Sequence, residues 1–247
     1  MKKLKLWGLA FAAFAAAVLI TVFINVVNLN EIKRQQDEFL AQITPVPAKE
    51  PANEPVENET EEYSSEFEKA LKMYPDAVGY LKIADTNIDF PIVQGEDNYF
   101  FENRNYDRTY SEVAATYMLS ECDPNSSRHI IIYGENSEIE GRLGELNSFL
   151  NYDFFYTHEY ITLELEDGAE TWQVFSVHLS STSFNYKDVD FDSNTEYLAY
   201  IKMFQIMSRF ERNIDLTEKD QVVTLVTDYH DLDLEEGYLM VHARRVG

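Results

Sequence analysis

The sequence predicts a mainly-β domain, a mostly antiparallel barrel or sandwich decorated by a few helices, set behind an N-terminal membrane anchor. Three observations carry this reading. The chain opens on a long apolar run, continues through a stretch rich in proline and glutamate, and from Tyr63 breaks into short β-branched and aromatic segments bounded by Asn, Asp and Gly.

The 247 residues carry a net charge of −24, which argues against a nucleic-acid partner because a polyanionic surface repels phosphate. With 45% hydrophobic residues, including 16 Tyr and 16 Phe, the chain has ample material for a core. A single Cys forms no internal disulfide and no cysteine-based metal cluster, so stability rests on packing.

In chain order, residues 1–5 (MKKLK) form a basic segment read as cytoplasmic. Residues 6–27 (LWGLAFAAFAAAVLITVFINVV) are almost wholly apolar and, at about 1.5 Å per helical residue, cross a hydrocarbon layer of about 30 Å. Lysines before the run and acids after it place the C-terminal domain outside the cell. The alternative is a cleaved signal peptide, whose apolar region is usually shorter, although Ala13 to Ala17 resembles a cleavage site. Residues 28–62 begin with a possible juxtamembrane helix, NLNEIKRQQDEFL. They then carry Pro45, Pro47, Pro51 and Pro55 among glutamates, a solvated semi-rigid spacer.

The globular domain is assigned to residues 63–247. Ser-Ser-Glu-Phe and the residues after it predict a short amphipathic helix with Phe67, Leu71 and Tyr74 on its apolar face, stopped by Pro75. Strand signals follow at GYLKI, IDFPIV, ATYML, HIIIYG, YITLEL, TWQVFSVHL, QVVTLVT and YLMVHARRV. Asn194 to Arg212 is the one long helical stretch, with Leu198, Ile201, Phe204 and Met207 or Ser208 at helical spacing.

The segment Tyr74 to Phe101, YPDAVGYLKIADTNIDFPIVQGEDNYFF, resembles the opening signature of class B sortases, the membrane-anchored cysteine transpeptidases of Gram-positive cell surfaces. HIIIYGEN, LGELNSFLNYDFFYTHEYITL, VVTLVTD and YLMVHAR extend the resemblance over about Tyr63 to Gly247. It implies an eight-stranded β-barrel with added N-terminal helices and a Cys-His-Arg active site. In that site a thiolate attacks a sorting-signal carbonyl, an imidazole carries protons and a guanidinium steadies the oxyanion.

All three matching positions are substituted. Glu135 stands where the resemblance places the His, Asp228 where it places the Cys and Tyr238 where it places the Arg. Arg244 shares the strand face of Tyr238 but lies six residues on, roughly 20 Å away, and cannot stand in. The sequence therefore implies a sortase homologue without its catalytic residues, acting as a binding or scaffolding protein beside cell-surface proteins, pilins or an active sortase. The alternative is an atypical transpeptidase or hydrolase acting on sorting-signal peptides through its carboxylates. Glu135, Asp228 and Tyr238 mark the expected ligand groove, an acidic one that favours a lysine side chain or another amine.

Other chemistry-bearing residues receive plainer readings. Cys122 is a bystander rather than a relocated nucleophile, since it has no obvious His partner in sequence and so acidic a chain does not favour a lowered thiol pKa. His230 reads as a solvated loop residue and His242 as structural. Asp228, Asp231, Asp233, Glu235 and Glu236 lack the glycine and spacing of an EF-hand loop, so no metal and no cofactor is assigned.

Overall fold

The computed structural model describes residues 65–230 and 236–246. The apolar run at 6–27, the spacer at 28–62 and the acidic positions 231, 233 and 235 lie outside the described residues. Among the described residues no helix is long and apolar enough to cross a membrane.

Eight strands close into a barrel. They are β1 (Ala77–Lys82), β2 (Asp89–Val93), β3 (Tyr117–Met118), β4 (His129–Tyr133), β5 (Tyr160–Leu165), β6 (Gly168–Ser181), β7 (Val222–Tyr229) and β8 (Gly237–Val246). Each falls on a segment read as a strand in the sequence. Around the barrel the order is β1-β2-β3-β4-β7-β8-β6-β5, closed by antiparallel pairing of β1 with β5. The pairs β2–β3 and β4–β7 are parallel and the remaining neighbours antiparallel, so closure leaves no free sheet edge.

Among the described residues four helical elements stand out against this frame. Helix α1 (Glu66–Met73) starts at Ser65, whose hydroxyl accepts the Glu68 N–H at 3.0 Å. It buries Phe67 and Ala70 against Ala77 of β1, whereas Leu71, expected on the apolar face, is 44% exposed. The helix is two turns long, and the small Ala70 lets it lie close to the sheet on the i, i+3 edge. A 3₁₀ segment (Gly144–Leu150) and helix α2 (Tyr152–Thr157) follow β4; both were missed as helices in the sequence.

Helix α3 (Asn194–Met207) begins at Ser193, which caps the Glu196 N–H at 3.1 Å, and covers the outer face of β6 and β7. It buries Tyr197, Ile201 and Phe204, with Leu198 only half-buried. The helix ends before the expected Arg212 because Ser208 and Arg209 leave it to bind β6. Val177 N–H donates to Ser208 Oγ at 3.1 Å, and Arg209 N–H donates to the Val177 carbonyl at 2.7 Å.

Under α3 lies a buried layer of imidazoles. His129 Nδ1 lies 2.8 Å from the Asp188 carbonyl, which can only accept, so that nitrogen carries the proton. In the neutral ring Nε2 then accepts from the Thr224 hydroxyl at 2.7 Å, and Thr224 Oγ1 accepts from His242 Nδ1 at 2.8 Å. The chain of bonds ends on His242 Nε2, which has no partner among the described residues. His178 stacks on His242 at 5.0 Å with both ring nitrogens unpartnered, and Phe204 covers His242 from α3 at 4.0 Å. His242 is therefore structural, as its sequence context suggested.

Burial pushes His129 and His178 down to about 4 and His242 well below its ordinary value. Between those values and about 6.5 the unfolded chain binds protons that the folded chain refuses, so stability is complete above about pH 6.5 and falls toward pH 4. Each of His129 and His178 is expected to cost about 2 kcal/mol of stability between pH 7 and pH 5. Urea denaturation at the two pH values should show the loss reduced by about that amount in His178→Phe, which keeps the stacked ring without the titrating group.

Candidate functional site

The three positions singled out in the sequence, Glu135, Asp228 and Tyr238, meet at one end of the barrel because β4 and β7 run parallel while β8 returns antiparallel beside β7. Register places Tyr133 beside Val226 and Asp228 opposite Tyr238. The pairing extends past the end of β4, with Gly134 N–H donating to the Val226 carbonyl at 3.1 Å. Gly134 is required there, since a Cβ would sit 2.7 Å from Thr116 Oγ1 and 2.8 Å from Leu143 Cγ. Glu135 is thereby carried over the end of the barrel. Its carbonyl accepts Ser137 N–H at 2.9 Å and Leu143 N–H at 3.0 Å, which folds the following loop back on itself.

Asp228 is held from two sides. The Tyr133 hydroxyl donates to its carboxylate, and Asn136 Nδ2 donates to its backbone carbonyl at 2.7 Å. It sits one residue inside β7 rather than at its end, since the strand continues through Tyr229. Glu135, half-buried, has its carboxyl pushed above the usual range, first by burial and then by the negative charge of Asp228; a backbone hydrogen bond from Ala114 and the charge of Arg142 pull the other way. Burial first raises the phenols of Tyr117 and Tyr133; the charges of Glu102 and then Asp228 add to it at Tyr117, and the hydrogen bond and charge of Asp228 at Tyr133.

Tyr238 does not present a cation. Its ring packs edge-on against Tyr186 at 5.2 Å, and Tyr186 is 3% exposed. Burial and then Asp228 push the Tyr238 phenol up. Arg244 is held at the far end of β8, where it bonds Gln173 Oε1 at 3.2 and 3.1 Å and reaches Asp220 at 3.8 Å.

Glu135 and Tyr238 line a cavity of about 320 Å³ together with Tyr117, Tyr133 and Tyr186. Glu102, Glu112 and Lys187 also line it, and all three are exposed. Asp228 reaches this cavity through the Tyr133 hydroxyl. The structure thus brings together all three sequence-assigned positions and adds tyrosines that sequence reasoning missed. Tyr133 lay within the quoted HIIIYGEN segment and was readable there; Tyr186 comes from the connection between β6 and α3, where no pattern marked it.

The remaining candidates fall elsewhere. Cys122 is 4% exposed; its sulfur accepts Ile131 N–H at 3.4 Å and lies 3.8 Å from the His129 carbonyl. Burial pushes its thiol up to about 12, so it is neither ionised nor reachable. His230 is exposed just beyond β7. Among the described residues no group of His, Cys, Asp and Glu converges as metal ligands do.

Chemically, the site holds a carboxylate bonded to a phenol, a second carboxyl with raised affinity for a proton, and a wall of tyrosine. It offers no thiolate. An oxyanion forming there would face carboxylates, with phenols as its donors.

Comparison with known proteins gives a consistent picture. No family model matches the chain. The chain is 28% identical over 188 residues to the sortase B of Listeria monocytogenes, covering 75% of this chain and 76% of that protein. Among solved structures, a Bacillus anthracis sortase B complex is 32% identical with a TM-score of 0.65, covering 72% of this chain and 81% of the other. Clostridium perfringens sortase B is 29% identical with a TM-score of 0.66, covering 72% and 98%.

Two measurements check the local chemistry. Cys122 is expected to resist alkylation in the folded protein at pH 8 and to react at an ordinary thiol rate in denaturing urea, as mass spectrometry of an iodoacetamide time course would read. Tyr133→Phe removes the hydroxyl that donates to Asp228 and should lower stability by about 1–2 kcal/mol at neutral pH in urea denaturation. Asp228→Asn, which keeps an acceptor for the phenol, should cost less.

Proposed function

The chain belongs to the class B sortase family, and we propose that it is a non-catalytic member that binds or scaffolds other proteins at the cell surface. The observation that carries this reading is the Asp228 carboxylate, bonded by the Tyr133 hydroxyl at the place the resemblance gives to the thiol. A carboxylate so engaged is a poor nucleophile, and its attack on a carbonyl would give only a mixed anhydride. Glu135 and Tyr238 supply neither an imidazole nor a guanidinium, so proton transfer and oxyanion support are both weakened at the same cleft.

The supporting features outside the site are those of the sequence. The apolar run at 6–27 would anchor the chain as a single pass with its N-terminus in the cytoplasm, and the acidic spacer would hold the domain out toward the cell wall. In that position its partners would be surface proteins, pilins or an active sortase.

One observation favours the other reading. The carboxyl of Glu135 is pushed above its ordinary value by burial and by the charge of Asp228, and two neighbouring carboxyls suit hydrolysis better than transpeptidation. The two readings separate in one assay. The full-length chain in non-ionic detergent is incubated with an amine acceptor and a panel of LPxTG- and NPxTN-like peptides, and mass spectrometry follows products and protein adducts. Neither product nor adduct is expected, with an active sortase as control. Product formation lost on Asp228→Ala or Glu135→Gln would establish a carboxylate enzyme and overturn the binding reading.

A further inference from the structure

We propose that the cavity beside Glu135 is a receptor for an alkyl ammonium group, such as a partner protein presents on a lysine side chain. This deepens the binding reading and rests on it. Four tyrosines line it, Tyr117 on β3, Tyr133 on β4, Tyr238 on β8 and Tyr186 on the connection after β6. A tyrosine ring carries the negative end of its quadrupole on its faces, which attract a cation. Tyr133 donates its proton to the Asp228 carboxylate, which enriches its ring in electron density and strengthens that attraction.

The carboxylates are placed to match. Glu135 stands half-buried in the lining, and Glu102 and Glu112 stand exposed at the rim. A cation settling between Glu135 and the rings would satisfy a carboxylate that now meets burial and the charge of Asp228 together. A metal ion is a poorer match, because among the described residues no set of ligands converges. A volume of about 320 Å³ lies at the small end of ligand pockets and suits one side chain rather than an extended ligand.

The protein already places a cation of its own here. Lys187 lines the same cavity, and its ammonium rides 5.6 Å from the centre of the Tyr186 ring. It is exposed and tethered to the loop that forms the cavity wall, so it acts as a resident competitor that an incoming lysine displaces. Recognition of the ammonium would therefore be stronger once Lys187 is removed.

The test titrates the full-length chain, with ¹³C-labelled tyrosine and in non-ionic detergent, against Nα-acetyl-lysine methylamide. Saturable shifts of Tyr133, Tyr186 and Tyr238 resonances are expected. The norleucine isostere, which keeps the alkyl chain and loses the charge, should bind at least about tenfold more weakly. Glu135→Gln should weaken the lysine probe by about fivefold to tenfold, and Lys187→Gln should tighten it by about threefold or more. Equal binding of the lysine and norleucine probes, or no saturable shift of those tyrosines, would overturn the ammonium assignment. Those outcomes leave the binding reading standing, whereas peptide cleavage in the preceding assay would remove that reading itself.

Discussion

The parallel pairing of β4 with β7 is the constraint on which the site depends. In an antiparallel pair the end of one strand lies beside the start of the next, and Glu135 and Asp228 would stand at opposite ends of the barrel. Parallel register instead sends both chains out at the same end, and antiparallel β8 returns Tyr238 to the place opposite Asp228. Long connections make this possible, since strands that run the same way cannot be joined by a tight turn. Between β4 and β7 the chain passes through the 3₁₀ segment, α2, β5, β6 and α3. The convergence of three side chains far apart in sequence is thus a property of topology, whatever residues occupy the positions.

The residues at such a point have to be satisfied locally. A carboxylate half-buried in a sheet needs donors, and Tyr133 on the neighbouring strand supplies one while Asn136 holds the backbone. At the opposite wall the ring of Tyr238 packs edge-on against Tyr186. Asp228, the three tyrosines and Asn136 form one self-consistent arrangement.

Much of this was legible in the sequence, for physical reasons that also explain the failures. The strands were readable because β-branched and aromatic runs end on Asn, Asp or Gly, and all eight segments pair in the barrel. Positions 135, 228 and 238 were readable because they interrupt well-matched motifs. The short helical segments after β4 were not readable: a single turn or two has too little periodicity to be separated from a loop. The end of α3 depended on Ser208 and Arg209 bonding to Val177, a tertiary contact with no local signature. Tyr186 failed for the same reason, since a tyrosine in a connecting segment is an ordinary surface residue until the fold places Tyr238 beneath it.

The connection after β6 ties the two buried features of the domain together. Tyr186 forms the cavity wall, Lys187 sits over its ring, and the next residue, Asp188, offers its carbonyl to His129 Nδ1 at 2.8 Å. That proton fixes the tautomer of His129, and with it the direction of every bond through Thr224 to His242. The wall of the cleft is therefore fastened to the layer beneath α3 by a backbone bond that only a protonated Nδ1 can make. Burial keeps those rings neutral, and neutrality leaves each with one donor and one acceptor, the number the chain of bonds uses at His129 and Thr224. The shape of the acidic, tyrosine-lined cleft is thus set from the layer beneath α3 as much as by the residues that line it.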